Sequence, residues 1–338
     1  MSVGRGAAIF GCAGPVLLPG ERDFFRDFNP FGFIVFARNV EDPAQLARLT
    51  ADQRDAVGRD APVLVDQEGG RVQRLRGPHW VEWTPPLDMV LAAGPHAARA
   101  MALRYRLIAR ELRAVGIDAN CAPVADLVTP ATHPFLKNRC YGTDPVVVSA
   151  IALAVADAHL AEGVVPVVKH IPGHGRSALD THLALPTVDA SRQALAVQDF
   201  APFRALKHLP MAMTGHLIFS AYDSLPATQS PTMIRVIRDE IGFNGLLITD
   251  DLNMQALAGD LTRRTAQSIA AGCDLTLHCK GDLAEMQAVA AAAGDMPGAT
   301  LARAARAIAA RKTPEEVDIA ALRAELSDIL GRAQQDAG

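Results

Sequence analysis

Short apolar stretches alternate along almost the whole chain with longer stretches in which apolar residues recur at helical spacing. Eight short stretches can be counted, many of them rich in β-branched residues, at residues 6–10, 32–36, 62–65, 116–122, 164–168, 211–214, 245–249 and 273–278. The helical stretches between them include residues 43–58, 98–116, 145–163 and 230–242. Strands that are apolar on both faces and alternate with helices predict a parallel sheet covered by helices.

The polar residues next to these stretches favour a closed barrel over an open sheet. Many stand at or just after the end of a predicted strand: Asp66, Gln67, Glu68, Asp126, Lys169, His170, His216, Asp250, Asp251 and His278. In a barrel all strand ends meet on one rim, where the active site is built, whereas an open doubly wound sheet gathers such groups at one crevice. We therefore predict an α/β fold with the architecture of a (β/α)8 TIM barrel.

A single barrel accounts for the whole length of the chain. Barrels of this type routinely exceed about 250 residues, so one catalytic domain is predicted over residues 1–338. The stretch that opens with Thr313, Pro314 and Glu315 has apolar residues at helical spacing. It predicts a capped C-terminal helix at about 313–335, packed on the outside of the barrel.

Composition and charge exclude several classes of partner. The net charge is only -4, and Lys and Arg form no blocks interleaved with aromatic residues, so we expect no nucleic acid to bind. A run of about 18 apolar residues, which a spanning helix needs, does not occur, so we expect no membrane association. The five cysteines, an odd number without a C-x-x-C motif, fit a reducing compartment. We therefore expect a cytoplasmic protein, and we expect it to be a monomer.

The segment KHIPGHGRSALDTH, residues 169–182, concentrates reactive side chains in a stretch that its proline and glycines prevent from being helical. The four-residue spacing of His170 and His174 brings two imidazoles together only on a helix, which Pro172, Gly173 and Gly175 make improbable, so we predict no metal site. We expect no cofactor either. Asp180 and His182 are two residues apart, so in an extended segment both side chains face the same way. The carboxylate can then orient the imidazole for catalysis, although a solvated pair on a surface loop is the alternative.

Two further motifs place acids at strand ends. GLLITDDL carries Asp250 and Asp251, of which one can act as a nucleophile or base. We expect Asp251 to cap the next helix and to point away from Asp250, because alternate residues of a strand face opposite ways. VDQEGGRVQRL, around Asp66, places two acids and two arginines where they can bind sugar hydroxyls, although a buried ion pair supporting the rim fits the same spacing.

These three motifs resemble those of the glycoside hydrolase family 3 β-N-acetylhexosaminidases. KHIPGHGRSALDTH is similar to a signature of the family, and VDQEGGRVQRL and ITDDLNM are similar to two other marks of it. They follow in the expected order at the ends of predicted strands three, five and seven, and the resemblance extends from about residue 7 to about residue 310. It implies an enzyme of bacterial cell-wall recycling that removes N-acetylglucosamine from muropeptides in the cytoplasm.

The resemblance also implies roles for individual residues. Asp250 matches the family's nucleophile, His182 its general acid/base, and Asp180 the partner of that histidine. The residues that match positions binding the non-reducing sugar are Asp66, Arg74, Arg139, Lys169 and His170. Arg139 departs most from the family pattern, because Cys140 follows it where a serine is usual.

These roles imply a retaining hydrolysis through a covalent glycosyl-enzyme, in which an imidazole replaces the second carboxylate that glycosidases normally use. A histidine with a pKa near ~6.5 can first protonate the glycosidic oxygen and then activate water as a base. Three alternatives stay open. They are a phosphorylase on the same scaffold, a β-glucosidase, whose relatives usually take their acid/base from another domain, and a non-catalytic sugar-binding barrel.

Overall fold

Eight parallel strands close into a barrel in the computed structural model, which describes residues 2–179 and 184–336 and the side chains of the last helix up to residue 332. The strands follow the chain order around the barrel, so each pairs with its neighbours in sequence. They are β1 (Gly6–Phe10), β2 (Pro30–Val35), β3 (Val63–Val65), β4 (Ala119–Asn120), β5 (Val165–Ile171), β6 (Met211–Thr214), β7 (Leu246–Asp251) and β8 (Leu275–His278). Each of the eight predicted stretches overlaps one barrel strand, so the predicted (β/α)8 barrel is confirmed.

Helices cover the outside of the barrel. The α-helices are α1 (Pro19–Phe28), α2 (Pro43–Val57), α3 (Pro86–Ala93), α4 (Ala97–Ala114), α5 (Pro134–Lys137), α6 (Pro145–Ala161), α7 (Arg192–Val197), α8 (Ala201–Ala205), α9 (Pro231–Arg235), α10 (Leu261–Ala271), α11 (Leu283–Ala293), α12 (Gly298–Ala309) and α13 (Ile319–Asp336). A π-helical segment, Val236–Glu240, continues α9, and 3-10 turns occupy Ala37–Asn39, Gly94–His96 and Ala227–Gln229. Within the described ranges, no helix is long and apolar enough to cross a lipid bilayer.

Local sequence signals set the ends of these helices. Asp42 accepts a hydrogen bond from the backbone N–H of Gln45 at the start of α2, and Asp144 accepts one from Val146 at the start of α6. A proline follows each aspartate at the first helical position. Proline has no backbone N–H, and an N–H at that position would have no partner within the helix. At the other end of α2, Gly58 adopts a φ of 63°, which glycine tolerates without steric cost.

Two apolar layers stabilise the barrel. Inward-pointing strand residues pack together inside it: Ala7, Ile9, Ile34, Leu64, Val165, Val167, Met211, Met213, Leu246, Ile248, Leu275 and Leu277. Ala304 and Ile308 of α12 join this inner layer. Outward-pointing strand residues such as Phe10 and Val65 belong to the second layer, beneath the helices. Because both faces of each strand are covered, the strands appear in the sequence as continuous apolar runs.

The terminal helix begins later than the sequence predicts. α13 starts at Ile319 rather than near residue 313, and it packs against α3 and α4. Asp318 accepts a hydrogen bond from the N–H of Ala320, so this aspartate, and not Thr313, caps the helix. The backbone N–H of Glu315 instead donates to the end of α6, which keeps the residues before Asp318 out of the helix.

The segments that follow the carboxyl ends of the strands contain additional short strands. After β3, Gln67–Gly69 pairs with Val72–Gln73 as an antiparallel hairpin. After β5 and β6, Thr187–Val188 pairs in parallel with Ile218–Phe219. These segments lie on the rim where a barrel carries its functional residues.

Candidate active site

A cavity of about 330 Å³ opens at the carboxyl ends of the strands. Six of the eight predicted site residues line it, namely Asp66, Arg74, Arg139, Lys169, His170 and Asp250. The other two, Asp180 and His182, lie outside the described residues. Leu179, immediately before them, contributes to the wall of the cavity. The cavity is also lined by Arg71, the other arginine of VDQEGGRVQRL, and by groups to which the sequence interpretation gives no role, among them Phe36, His133, Phe135, His174 and Met254.

Asp66 follows β3 and lies between two cations. Its Oδ2 accepts a hydrogen bond from Arg74 Nη2 at 3.0 Å, and its Oδ1 accepts one from Lys169 Nζ at 2.7 Å. Burial alone would raise the pKa of Asp66, but the attraction of Lys169 and Arg74 outweighs burial and holds this pKa well below its usual range. The cavity therefore presents an ionised carboxylate beside two cations, a combination that can accept hydrogen bonds from hydroxyl groups and donate to them.

Glu68 forms the buried base of this cluster. Arg139 donates to its two oxygens through Nε at 2.9 Å and Nη2 at 2.8 Å, and Lys169 Nζ lies 2.6 Å from Oε1. Burial alone would raise the pKa of Glu68, but these two cations outweigh burial and lower it. Glu68 therefore supports the rim through a buried ion pair, while Asp66, two residues earlier, faces the cavity. The VDQEGG stretch thus contains the buried ion pair that its spacing allows and, in Asp66, a carboxylate that lines the cavity.

The cysteine that departs from the family pattern leaves its neighbouring arginine in place. Cys140 is fully buried, and its Sγ donates to the carbonyl oxygen of Leu136 at 3.4 Å. It packs in a small apolar cluster with Val124 and Leu136. Arg139 keeps its bidentate contact with Glu68 and lines the cavity.

Replacing Glu68 by Gln is expected to lower the free energy of unfolding by about 3 kcal/mol, because Arg139 then stays buried without a charged partner. Urea denaturation at pH 7 measures this change through the midpoint. The matched control is Glu82→Gln, which breaks an exposed pair with Arg76 and is expected to change stability little. Equal midpoints for the two variants would contradict a stabilising role for the buried pair.

Asp126 organises the loop that follows β5, a role that the sequence interpretation does not assign. Its Oδ2 accepts a hydrogen bond from His170 Nδ1 at 2.7 Å, and its Oδ1 accepts one from the backbone N–H of His174 at 2.7 Å. Burial alone would raise the pKa of Asp126, but the two histidines outweigh burial and lower it. Its position shortly after β4 is the one signal in the sequence that places Asp126 on the rim.

The loop brings two imidazoles together without a helix. The ring centroids of His170 and His174 are 5.4 Å apart, so the expectation that only a helix could bring these side chains together is wrong. Asp126 is the physical reason, because it binds the ring of one histidine and the backbone of the other. Nevertheless, among the described residues, no three His, Cys, Asp or Glu side chains are placed to hold a metal ion.

Asp250 ends β7 and faces the cavity, half-buried. Its Oδ1 accepts a hydrogen bond from the backbone N–H of Asp251 at 2.8 Å. Burial alone would raise the pKa of Asp250, but the electrostatic effects of His170 and His216, with that N–H, outweigh burial and lower it. The result is an ionised carboxylate that lines the cavity, available as a nucleophile or a base.

Asp251 also lines the cavity, contrary to the expectation that it points away. The pairing of β7 with β8 shifts register between Ile248 and Asp251, so the regular alternation of side chains is interrupted there. The Oδ1 of Asp251 accepts hydrogen bonds from the N–H groups of Asn253 at 3.1 Å and Cys279 at 3.2 Å. It therefore connects two strand ends and does not cap a helix, since the next helix is capped by Asp260. Burial raises the pKa of Asp251 to about 6.

The chain is similar to known proteins of one family. The model of the glycosyl hydrolase family 3 N-terminal domain matches residues 24–310. A β-hexosaminidase of Alkalilimnicola ehrlichii is 40% identical over 288 residues, which are 81% of this chain and 80% of that protein. A β-hexosaminidase of Methylococcus capsulatus is 36% identical over 277 residues, which are 80% of this chain and 82% of that protein.

Solved structures of the same family share the fold over nearly the whole chain. NagZ from Neisseria gonorrhoeae, solved in complex with N-trifluoroacetyl-D-glucosamine, superimposes with a TM-score of 0.84 at 28% identity. The similarity covers 98% of this chain and 99% of that one. A glycoside hydrolase family 3 β-N-acetylglucosaminidase from a Paenibacillus species gives a TM-score of 0.83 at 28% identity and covers 97% of this chain and 66% of that one.

Proposed function

Because this chain belongs to glycosyl hydrolase family 3, we propose that it is a retaining β-N-acetylhexosaminidase that removes N-acetylglucosamine from the non-reducing end of its substrate. The chain is a glycoside hydrolase, since the family model spans most of its length and its curated relatives are β-hexosaminidases. The single observation that carries the proposal is Asp250, an ionised carboxylate in a cavity that the charged groups Asp66, Arg74 and Lys169 also line.

Five polar side chains of the cavity bind the hydroxyl groups of the non-reducing sugar in this proposal. They are Asp66, Arg74, Arg139, Lys169 and His170. The ion pairs and hydrogen bonds among these side chains, and with Glu68 and Asp126, fix their positions before the substrate arrives. Preorganised groups of this kind need little rearrangement on binding, so binding energy remains available to orient the anomeric carbon over Asp250.

Asp250 acts as the nucleophile in this mechanism. One of its oxygens attacks the anomeric carbon while the bond from that carbon to the leaving oxygen breaks, which gives a covalent glycosyl-enzyme. The backbone N–H of Asp251 donates a 2.8 Å hydrogen bond to Asp250 Oδ1 and so fixes the orientation of the carboxylate. Water then attacks the same carbon from the opposite face and releases Asp250, so the product keeps its configuration.

His182 acts as the general acid/base and Asp180 as its partner, an assignment that rests on the sequence because both residues lie outside the described ranges. Leu179, the last described residue before the dyad, lines the cavity. His182 protonates the leaving oxygen in the first step and takes a proton from water in the second. Asp180 favours the protonated imidazole and thereby raises its pKa.

We further propose that the natural substrates are muropeptides with N-acetylglucosamine on anhydro-N-acetylmuramic acid, that the enzyme acts in the cytoplasm in cell-wall recycling, and that it is a monomer. The family resemblance of the three motifs supports the substrate. The five cysteines support a reducing compartment, since all five are free thiols.

The proposed function is tested with aryl N-acetyl-β-glucosaminide and aryl β-glucoside, each with and without inorganic phosphate. We expect fast release of the aryl group from the first substrate, much slower release from the second, and no effect of phosphate. A rate that depends on phosphate would identify a phosphorylase, and a preference for the glucoside would contradict the assigned sugar.

Prolonged incubation with a strong chelator is expected to leave turnover of the aryl N-acetyl-β-glucosaminide unchanged, because the proposed steps use a carboxylate and an imidazole and no Lewis acid. Turnover is compared before and after dialysis against the chelator. Loss of activity that zinc restores would show that a metal ion takes part.

A further inference from the structure

His174 is a buried part of the cavity wall whose imidazole is incompletely bonded. The residue is only 7% exposed, and its Nδ1 is buried with no described group in hydrogen-bonding reach. His159, by contrast, is a buried histidine whose two ring nitrogens contact the carbonyl of Val155 and the amide of Asn120. A buried polar atom without a partner costs free energy, so packing alone would favour an apolar side chain at position 174. The function of this imidazole therefore depends on its other nitrogen.

The contacts of His174 direct that other nitrogen towards the cavity. The backbone N–H of His174 donates to Asp126 Oδ1 at 2.7 Å, which fixes the start of the side chain. A Cβ on Gly215 would lie 3.1 Å from His174 Cδ2, so the ring edge fills the space that this glycine leaves. Nδ1 and Cδ2 both flank Cγ in an imidazole. With Nδ1 buried and Cδ2 against Gly215, Nε2 at the tip of the ring is the nitrogen that can reach the cavity.

The imidazole of His174 is neutral when the enzyme works near pH 7. Burial, together with the nearby His170, lowers the pKa of His174 to about 4. A neutral imidazole has one N–H, and a proton on Nδ1 would face no acceptor. The stable tautomer therefore has its proton on Nε2, so His174 presents a neutral donor to the cavity. The neighbouring cations Lys169 and Arg139 differ, because carboxylates already match their charges.

We propose that Nε2–H of His174 donates a hydrogen bond to the carbonyl oxygen of the substrate's 2-acetamido group, an inference that rests on the proposed function. His174 and Asp250 line the same cavity. Since Asp250 attacks C1, a donor in the same cavity can reach the substituent on C2, the adjacent carbon. An amide carbonyl only accepts hydrogen bonds, so a neutral N–H is a matched partner.

This contact makes His174 a determinant of specificity for N-acetylglucosaminides. A hydroxyl on C2 is shorter than an acetamido group and cannot place an acceptor in the same position. Hydrogen bonds to the substituent on C2 also strengthen in the transition state of glycosidases, so the contact contributes to rate as well as to binding.

The test combines two protein variants with two substrates that differ only in the acyl group. His174→Phe keeps a planar ring without a donor, and His174→Gln keeps a neutral N–H donor. The substrates are aryl β-glucosaminides that carry N-acetyl or N-trifluoroacetyl, because fluorine makes the second carbonyl the weaker acceptor. For His174→Phe we expect kcat/KM to fall about tenfold on the first substrate and about twofold on the second. His174→Gln is expected to recover most of the loss on the first substrate.

Equal losses on the two substrates would overturn the proposal, because a purely structural effect lowers both by the same factor. His174→Gln is also measured as a check on folding, and its thermal midpoint is compared with that of the wild type. If the Phe variant fails to fold, the Gln variant tests the proposal instead. The ratio of its kcat/KM values on the two substrates must equal that of the wild type, and a changed ratio contradicts the assignment. Absence of activity in the wild type itself would instead reject the proposed function.

Discussion

Replacing Asp250 by Asn is expected to lower kcat on aryl N-acetyl-β-glucosaminide by about 10⁴-fold or more, because an amide cannot form the glycosyl-enzyme. The loss should appear on every substrate, including those with excellent leaving groups, since attack at the anomeric carbon is needed for all of them. Steady-state kinetics measure kcat, and circular dichroism checks that the fold is intact. The side chain is half-buried, and no described cation forms an ion pair with it, so we expect little loss of stability.

The matched control for Asp250→Asn is Asp251→Asn, one residue further along the same rim. Asp251 Oδ1 accepts two backbone hydrogen bonds, which an asparagine oxygen can still accept. We therefore expect the control to keep most of the wild-type kcat. Azide should restore turnover to Asp250→Gly, because a small anion can enter the vacated space and attack in place of the carboxylate. A larger loss in Asp251→Asn than in Asp250→Asn would contradict the assignment.

Replacing His182 by Ala is expected to lower kcat/KM by about 10²- to 10⁴-fold on natural disaccharides, because a sugar leaving group must be protonated as it departs. Aryl glycosides with weakly basic leaving groups need little protonation, so their kcat/KM should fall much less. For a series of aryl substrates, the logarithm of kcat/KM is plotted against the pKa of the leaving group. We expect a steeper slope for the variant than for the wild type. Asp180→Asn should steepen the slope in the same direction, because the amide no longer favours the protonated imidazole.

His208→Ala, which removes an exposed histidine that does not line the cavity, serves as the control and should leave the slope unchanged. If His182→Ala loses the same factor on every leaving group, the general-acid role is wrong. The slope reports on protonation of the leaving group and not on folding.

The barrel could be predicted from the sequence because its strands are covered on both faces. Residues such as Ile9 inside and Phe10 outside are both apolar, and this produces runs that alternate with helices. The rim followed from the same pattern. Asp66, Lys169 and Asp250 stand just where apolar runs end, and a closed barrel brings such ends together.

Other features could not be predicted because they depend on contacts between distant parts of the chain. The direction of the Asp251 side chain depends on a shift of register between β7 and β8. The sequence of one strand does not determine its register with the neighbouring strand. The approach of His170 and His174 depends on Asp126, which lies more than forty residues earlier. The unbonded Nδ1 of His174 is a property of the packed cavity and has no signature in the sequence.

Trapping the glycosyl-enzyme tests most directly whether Asp250 is the nucleophile of a retaining β-N-acetylhexosaminidase. A fluorosugar analogue of N-acetylglucosamine that forms the intermediate quickly and hydrolyses slowly is incubated with the protein. Mass spectrometry of the intact protein and of its peptides then locates the added mass. We expect one adduct per chain, carried by Asp250. A label on Asp251, or a product released from a normal substrate with inverted configuration, would contradict it.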